Sequence, residues 1–343
     1  MVRGGDGGAQ GVDSRVRARG VVARCGAAVG GMELALSCPM TTPAQFEGAA
    51  SGLALRSWVR LLRPSHWTKN LFVLAPLMFS GRALQPEAIV AAGQAFLGFC
   101  LAASAVYAFN DVRDCEADRH HPVKRYRPVA AGLISTPHAM LASSVLALSA
   151  ILIAGSVTWE TAAWIAAYLI LNLGYSLGLK RVVILDVFAI ASFFVIRLLA
   201  GAAAVEVHPS VWLLLCGGLL ALYLGFAKRR HELSVLGDTS ADHRSVLSHY
   251  STPFLDQISG VLLSVTIVAY LMYSLTSDTA VRVGTEELSY GAPFVLYGVF
   301  RYLYLVHRRD LGSPTETVLA DRWLLVTVGL WVAYNGWVLY RPH

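Results

Sequence analysis

Long apolar runs constrain this chain more than any other feature of its sequence. Most of them approach the roughly 20 residues that a helix needs to cross a bilayer. They lie at about 68–81, 91–110, 138–155, 160–178, 184–203, 210–227, 256–276, 290–306 and 322–340. Only 15% of the residues are charged and 55% are hydrophobic, whereas about a quarter of the residues in a soluble domain are charged. The sequence therefore predicts an all-α, polytopic integral membrane domain of nine transmembrane helices within residues 51–343.

The Lys and Arg residues between these runs predict how the chain is oriented. Connections after the odd-numbered runs hold only Arg82 and Arg282. Connections after the even-numbered runs hold Arg113, Arg119, Lys124, Arg125, Arg127, Lys180, Arg181, Lys228, Arg229, Arg230, Arg244, Arg308 and Arg309. Because cytoplasmic loops are enriched in Lys and Arg, we expect the N-terminus and the even-numbered connections in the cytoplasm, with the protein in the cell membrane.

Residues 1–50 differ from the rest of the chain. They are rich in Gly, Ala and Arg without periodicity, and they lack the apolar core and the cleavage site of a signal peptide. We expect this segment to be disordered, or to be an over-extended gene start with Met32 or Met40 as the initiator. The five cysteines show no CxxC pair and no metal-ligand spacing, so no disulfide framework is predicted.

The acidic end of the second run is the most informative stretch for function. At 100° per residue, Tyr107, Asn110, Asp111, Asp114 and Asp118 fall within an arc of about 100° on one helix face. Three carboxylates crowded at a membrane boundary repel one another unless a cation lies between them. Mg²⁺ takes oxygen ligands from carboxylates and substrate phosphates, so the four Asn and Asp residues are predicted Mg²⁺ ligands. The alternative is a solvated helix end whose acids pair with nearby Arg and Lys.

A basic loop follows this acidic helix end directly. Pro122 and Pro128 restrict its backbone, and we expect them to hold Lys124 and Arg127 in a shaped loop rather than a helix. An Arg fork binds phosphate oxygens that a metal leaves open, so a basic loop beside a metal site suits a diphosphate. The alternative is a simple anchor on the cytoplasmic side of the membrane.

Further polar residues lie at the other predicted cytoplasmic helix ends. They are Arg63, Lys69, Asn70, Tyr175, Lys180, Lys228, Arg229, Arg230 and Glu232. Asp186 and Arg197 lie inside the fifth run, eleven residues apart and on one face, and an ionisable residue inside a span is a functional candidate. The alternative for Arg197 is a buried pair with an acid. Tyr175 could instead belong to an interfacial aromatic belt.

Several classes of function find no support in the sequence. No nucleophilic triad, Walker loop, dinucleotide fingerprint or zinc spacing occurs. The net charge of +6 resides largely in short loops between apolar runs, a pattern typical of membrane topology and of a phosphorylated substrate rather than of nucleic acid. The predicted chemistry is that of a diphosphate handled by metal and cations, without a covalent intermediate.

These motifs carry a resemblance to a known family. The pattern Asn110-Asp111-x-x-Asp114-x-x-x-Asp118 resembles the first aspartate-rich motif of the UbiA superfamily of membrane prenyltransferases, whose fold has nine spans. Other segments resemble the branch that moves phosphoribosyl groups onto polyprenyl phosphates. They are Arg63-Pro64-Ser65-His66-Trp67-Thr68-Lys69-Asn70, His121-Pro122-x-Lys124-Arg125-x-Arg127-Pro128, Lys228-Arg229-Arg230-x-Glu232-Leu233, and Pro314-x-Glu316 with Asp321. The resemblance covers about residues 56–340.

The resemblance implies a Mg²⁺-dependent transfer from phosphoribosyl diphosphate to a polyprenyl (decaprenyl) phosphate, with a product used in cell-wall biosynthesis. It implies catalytic roles for Asp111, Asp114, Asp118, Lys124 and Asp186. Substrate contacts are implied for Lys124 as well, and for the remaining residues: Arg63, Lys69, Asn70, Tyr107, Asn110, Arg127, Tyr175, Lys180, Arg197, Lys228, Arg229, Arg230 and Glu232. A homo-oligomer remains open.

Two other functions compete with this interpretation. Aromatic prenyltransferases of the superfamily carry a second acidic motif of DxxxD type, and here Asp186 is followed by Ile190 at the second acidic position. Because the second acid is missing, an aromatic prenyltransferase is the second choice. Such an enzyme would transfer a prenyl group from a prenyl diphosphate to an aromatic acceptor such as 4-hydroxybenzoate. A transporter or lipid-binding protein is the non-enzymatic one, and it would be expected to show broken helices or charges at mid-membrane in paired repeats.

Overall fold

The computed structural model describes residues 55–236, 247–276, 287–308 and 320–341, and every regular element in these ranges is helical. The predicted N-terminal segment 1–50 and the Pro314-x-Glu316 motif lie outside the described residues. The short elements are α1 (55–62), a 3₁₀ segment (Pro64–Leu74), α2 (Ala75–Phe79) and α4 (Cys115–His120). The long helices are α3 (Pro86–Arg113), α5 (Thr136–Gly155), α6 (Trp159–Leu177), α7 (Leu185–Ala204), α8 (Val211–Leu236), α9 (Thr252–Thr276), α10 (Ala292–Arg308) and α11 (Arg322–Tyr340).

Local sequence explains where several helices begin. A proline lies in the first turn of α2, α3 and α5, where its missing N–H would have no partner in any case. The Thr158 hydroxyl accepts the backbone N–H of Thr161 at the start of α6. The Asp321 carboxylate accepts the N–H of Leu324 at 2.9 Å at the start of α11. Both are N-caps of the kind that satisfy free helix donors.

The long helices coincide with eight of the nine predicted apolar runs. Six of them, α3, α5, α7, α8, α9 and α11, are long and apolar enough to cross a membrane. The first predicted run, 68–81, is instead part of the 3₁₀ segment followed by the five-residue α2. Pro76 explains the break, because proline has no N–H to continue a preceding helix. The all-α, multi-pass membrane architecture is thus confirmed, while the count of nine spans stays a prediction.

Small residues allow the elements near the site to approach closely. Buried Ala95, Ala102, Ala150 and Ala154 lie in the core that α3 and α5 share, and small side chains let helix backbones pack tightly in membranes. Gly201 of α7 lies against the 3₁₀ segment so closely that an added Cβ would stand 2.0 Å from the carbonyl oxygen of Val73. This contact positions the segment that carries Lys69.

Candidate active site

The acidic motif lies where α3 ends and α4 begins. The helix predicted to run through it is interrupted at Asp114, which has φ −89° and ψ 6° and separates the two helices. Backbone bonds still join Asp114 N–H to the Asn110 carbonyl at 2.9 Å and Asp118 N–H to the Asp114 carbonyl at 2.8 Å. The acids consequently remain on one side, with Asp111 and Asp118 buried and Asp114 half-buried.

Two arginines pair with the buried acids. Arg63 Nη2 donates to Asp111 Oδ1 at 2.6 Å, and Arg127 Nη1 lies 3.5 Å from the same oxygen. Arg127 Nη1 also donates to Asp118 Oδ2 at 2.6 Å. Arg63 has a positive φ of 52°, a strained conformation of the kind found at functional sites. The two guanidinium groups therefore balance the two carboxylates that α3 and α4 bury.

One carboxylate oxygen in this cluster has no partner in the described part of the chain. Asp111 Oδ2 is buried there without a hydrogen bond, and a buried acceptor without a donor is costly unless a ligand or ion completes it. Among the described residues, no group of three or more His, Cys, Asp or Glu is arranged to hold a metal ion. The donor set fits a Mg²⁺ ion that takes several of its ligands from substrate phosphates and water. The predicted metal ligands stay a prediction.

The end of α6 and the turn after it contribute two more polar groups. Ser176 Oγ donates to Asn110 Oδ1 at 2.8 Å. Lys180, in the 3₁₀ turn Leu179–Arg181, brings Nζ to 4.0 Å from Asp114 Oδ1. Tyr175 packs edge-on against the ring of Phe193 at 5.8 Å between ring centroids. Of these groups, Lys180 is the one that adds positive charge beside the acids.

The basic loop after α4 divides its two predicted phosphate-binding residues. Lys124 begins a single 3₁₀ turn, Lys124–Tyr126, and is exposed. Arg127 follows this turn in extended conformation and reaches back to the acids. Arg125 is exposed and lies over the ring of its neighbour Tyr126. Arg127 is thus the loop residue that the fold brings into the acidic cluster.

The 3₁₀ segment Pro64–Leu74, outside the six helices able to cross a membrane, carries further titratable groups. His66 Nδ1 lies 3.1 Å from the hydroxyl of Tyr107. Burial, together with the neighbouring cations, lowers the pKa of His66 below its ordinary value. Burial, with the positive charges of Lys228 and Arg197, lowers the pKa of Lys69 to about 8. Burial and neighbouring cations make the charged form of Lys69 less stable, and an anionic group bound beside it would stabilise that charge.

The two ionisable residues of α7 have different hydrogen-bond partners among the described contacts. Arg197 donates to Asn70 Oδ1 at 2.8 Å and to the Phe193 carbonyl at 2.7 Å, and its guanidinium lies 4.8 Å from the centroid of the Tyr168 ring. The alternative that Arg197 pairs with an acid is therefore wrong for the contacts that the structure describes. Eleven residues correspond to about 16 Å along a helix, which separates Asp186 from Arg197 although both lie on one face.

Asp186 instead belongs to a buried network. Arg229 Nε donates to Asp186 Oδ2 at 2.9 Å, and Arg229 Nη1 donates to Glu232 at 2.5 Å. The hydroxyl of Tyr250, a residue that sequence reasoning missed, donates to Asp186 Oδ1 at 3.1 Å. Burial raises the pKa of Tyr250 to about 12, which keeps this hydroxyl protonated. No motif marked Tyr250, because its partner lies 64 residues away in the sequence.

The three consecutive basic residues of α8, 228–230, have three different environments. Arg229 is fully buried against Asp186. Lys228 Nζ lies 3.9 Å from a carboxylate oxygen of Glu232, and its side chain is half exposed. Arg230 pairs with Asp256 of α9. Of these three residues, Lys228 is the one whose positive charge lowers the pKa of Lys69 and of His66.

Comparison with known proteins decides the family. The model of the UbiA prenyltransferase family matches residues 71–326. The chain belongs to this family. A decaprenyl-phosphate phosphoribosyltransferase from Mycolicibacterium smegmatis is 34% identical over 293 residues, covering 82% of this chain and 92% of the relative. The enzyme of the same name from Corynebacterium glutamicum is 33% identical, covering 80% of this chain and 84% of the relative.

Solved UbiA structures share the fold of this chain. A UbiA homolog from Archaeoglobus fulgidus bound to GPP and Mg²⁺ superposes with a TM-score of 0.62 at 17% identity, covering 83% of this chain and all of that one. A digeranylgeranylglyceryl phosphate synthase superposes with a TM-score of 0.60 at 14% identity, covering 84% of this chain and 99% of that one. At such identities the likeness concerns the fold alone, and it confirms the predicted UbiA-like helical architecture.

The second acidic position of this chain holds a single carboxylate. Asp186 is followed by Ile190 rather than by a second acid, and Arg229 occupies the space beside its carboxylate. Both residues are completely buried. This part of the UbiA fold is therefore built here around an ion pair.

Proposed function

We propose that this protein is a transferase that moves the 5-phosphoribosyl group of phosphoribosyl diphosphate onto a polyprenyl phosphate such as decaprenyl phosphate, and releases diphosphate. The observation that carries the proposal is the convergence of three acids and three cations at one end of α3. Asp111 lies beside Arg63, Asp118 beside Arg127, and Asp114 beside Lys180. The relatives named decaprenyl-phosphate phosphoribosyltransferase, which match along most of their length, support the choice of substrates.

The acids are assigned to the metal that accompanies the donor. Asp111, Asp114 and Asp118, with the Asn110 side-chain oxygen, would hold Mg²⁺. Bound there, Mg²⁺ would neutralise charge on the departing diphosphate. The unpartnered Oδ2 of Asp111 supports this assignment, as do the Mg²⁺-bound structures of a homolog with the same fold.

The basic residues are assigned to the two substrates. Arg127, Lys180 and Lys124 hold the donor diphosphate and the ribose 5-phosphate, and guanidinium forks suit their oxygens. The bond between the anomeric carbon and the diphosphate oxygen breaks with its electron pair on the diphosphate. A phosphate oxygen of the acceptor forms the new bond to that carbon. Since this oxygen is already anionic, the reaction needs no strong general base.

The acceptor phosphate is assigned to Lys69, on the 3₁₀ segment that packs against α7, and to Arg63, which directly precedes this segment. Arg197 is held by Asn70 and its charge acts on Lys69, so it supplies a fixed positive charge near this position. The prenyl tail would extend between the helices into the bilayer. We place the site at the cytoplasmic face of the cell membrane, in agreement with the distribution of Lys and Arg in the connections.

Transfer of labelled ribose phosphate into lipid tests the proposal. Purified protein in detergent is incubated with Mg²⁺, labelled phosphoribosyl diphosphate and decaprenyl phosphate. We expect Mg²⁺-dependent movement of label into the lipid phase, at least about 100-fold slower in Asp111→Asn, since groups that stabilise transition-state charge have effects of this size. Glu116→Gln, which changes an exposed acid at the same helix end, is the matched control and should retain activity.

The same preparation distinguishes the prenyltransferase. No transfer from phosphoribosyl diphosphate, together with transfer from a labelled prenyl diphosphate to 4-hydroxybenzoate, would overturn the proposal in favour of that activity. The pairing of Asp186 with Arg229 argues against the prenyltransferase activity. Position 190 holds Ile rather than a second acid, so the described residues form no acidic pair here.

A further inference from the structure

The connection between α6 and α7 contains a strained turn. Ile184 has φ 69° and ψ −47°, and the N–H of Leu185 donates to the carbonyl of Val183 at 2.8 Å. These features define a γ-turn with positive φ at its centre, which is rare and strained. The strain is greater for a β-branched residue such as isoleucine than for glycine. Such a conformation persists only where the surrounding structure holds it.

The hydroxyl of Tyr250 makes two hydrogen bonds that hold this turn. It accepts the backbone N–H of Ile184 at 2.7 Å and donates to Asp186 Oδ1 at 3.1 Å. The ring is buried, with the rings of Phe226 and Phe254 at centroid distances of 6.4 and 6.2 Å. Arg229 binds the other oxygen of Asp186 and so fixes this carboxylate. The carboxylate in turn holds the Tyr250 hydroxyl in its place beside the Ile184 N–H.

The strained turn lies directly after the turn that carries Lys180. The Val182 N–H donates to the Leu179 carbonyl at 3.1 Å, and the Asp186 N–H donates to the Val182 carbonyl at 3.0 Å. Backbone hydrogen bonds therefore run without a break from the Lys180 turn to the start of α7. A change of φ at Ile184 would redirect the preceding residues and move Lys180 away from Asp114, from which its Nζ is 4.0 Å distant.

We propose that Tyr250 is a positioning residue of the active site: its hydroxyl holds the strained turn at Ile184 and thereby keeps Lys180 beside the acidic motif. The inference rests on the proposed function only for the role of Lys180 in binding the donor diphosphate. The position of the turn itself does not depend on which substrate is used.

Hydrogen–deuterium exchange tests the structural half of the proposal without any substrate. Backbone amides in a peptide covering residues 178–187 are followed in wild type, Tyr250→Phe and Tyr302→Phe. Tyr302 is the matched control, since it is equally buried and its hydroxyl has no hydrogen-bond partner within the ranges that the structure describes. We expect at least roughly threefold faster exchange in this peptide for Tyr250→Phe alone. Unchanged exchange, or equal acceleration in both variants, would overturn the proposal.

Donor binding tests the functional half through a double-mutant cycle. The dissociation constant for phosphoribosyl diphosphate with Mg²⁺ is measured in wild type, Tyr250→Phe, Lys180→Ala and the double variant. We expect Tyr250→Phe to weaken binding roughly three- to tenfold in the wild-type background and to add almost nothing once Lys180 is gone. Independent, additive losses would show that Tyr250 does not act through Lys180 and would overturn the positioning role.

A rescue variant separates positioning from a general loss of stability. Glycine adopts positive φ without steric cost, so Ile184→Gly should make the turn less dependent on the hydroxyl. We expect Tyr250→Phe to weaken donor binding less in the Ile184→Gly background than in wild type, and a loss of undiminished size would contradict the proposal. If wild type binds no phosphoribosyl diphosphate, the proposed function fails, whereas the exchange experiment still decides whether Tyr250 holds the turn.

Discussion

Arg127 Nη1 lies 2.6 Å from Asp118 Oδ2 and only 3.5 Å from Asp111 Oδ1. Its guanidinium therefore stands between two carboxylates that the sequence assigns to a metal ion. The same side chain has the geometry to bind phosphate oxygens. We infer that Arg127 stabilises the acids in the absence of substrate and turns to the diphosphate when the donor arrives with its metal.

Arg127→Gln should consequently change metal and donor binding in opposite directions. Without the donor, removal of a competing positive charge should strengthen Mg²⁺ binding by about tenfold, since one charge at this distance is worth about 1 kcal/mol or more. Binding of phosphoribosyl diphosphate should weaken. Titration calorimetry measures both quantities, with Arg125→Gln, an exposed residue of the same loop, as the control. A parallel fall of both affinities would contradict this role.

The buried pair of Asp186 and Arg229 predicts a large effect on stability. Arg229→Leu leaves the Asp186 carboxylate buried without its cation, which should cost about 3–5 kcal/mol. Arg230→Leu is the matched control, because its partner Asp256 is more than one-third exposed and such pairs contribute about 0–1 kcal/mol. Thermal unfolding in detergent ranks the variants. Equal midpoints for the two would show that the Asp186 pair is not the stabilising element inferred here.

Asp186→Asn in the Arg229→Leu background gives a second check on that pair. The neutral amide removes the uncompensated buried charge, so the double variant should recover part of the loss seen in Arg229→Leu. A double variant less stable than either single variant would contradict the explanation.

Gly201 should tolerate no side chain. An alanine Cβ would stand 2.0 Å from the Val73 carbonyl oxygen, and because this is backbone, the 3₁₀ segment bearing Lys69 would have to move. We expect Gly201→Ala to lose most transferase activity and to lower the unfolding midpoint. Gly93→Ala is the control, since nothing lies within 4 Å of its added Cβ and alanine favours a helix. Similar activity in both variants would refute this close approach.

Lys69 should give the reaction a dependence on alkaline pH. Its pKa is lowered to about 8, by burial first and then by Lys228 and Arg197. If its charge binds the acceptor phosphate, the affinity for decaprenyl phosphate is full below about pH 8 and falls as Lys69 loses its proton above it. His66, also nearby, has its pKa lowered from 6.5 and is already neutral in that range.

The Lys69→Arg variant checks the assignment of this inflection. Arginine stays charged throughout the alkaline range, so the decline in acceptor affinity near pH 8 should disappear even if the absolute affinity changes. The KM for decaprenyl phosphate is measured from pH 6.5 to about 9.5 in both proteins. An unchanged inflection in Lys69→Arg would assign the titration to another group.

The local character of the chain follows from its sequence. Apolar runs of bilayer length predict membrane helices because backbone polar groups must be satisfied inside lipid, and eight of the nine runs are long helices. The acidic motif and the basic loop are adjacent in sequence, so their association through Arg127 and Asp118, nine residues apart, was open to prediction. The remaining run, 68–81, is interrupted at Pro76, and this cause is equally local, because proline has no N–H to continue a preceding helix.

Partners far apart in the chain could not be chosen from sequence. Asp186 lies 43 residues from Arg229 and 64 from Tyr250, and Arg63 lies 48 from Asp111. Charge pattern shows that such residues need partners, but several cations could serve, and helix packing selects one. The sequence alone therefore determined a membrane-embedded helical protein with an acidic and basic helix end. Tertiary structure determined which acid meets which cation, because contacts between helices depend on their mutual positions in space.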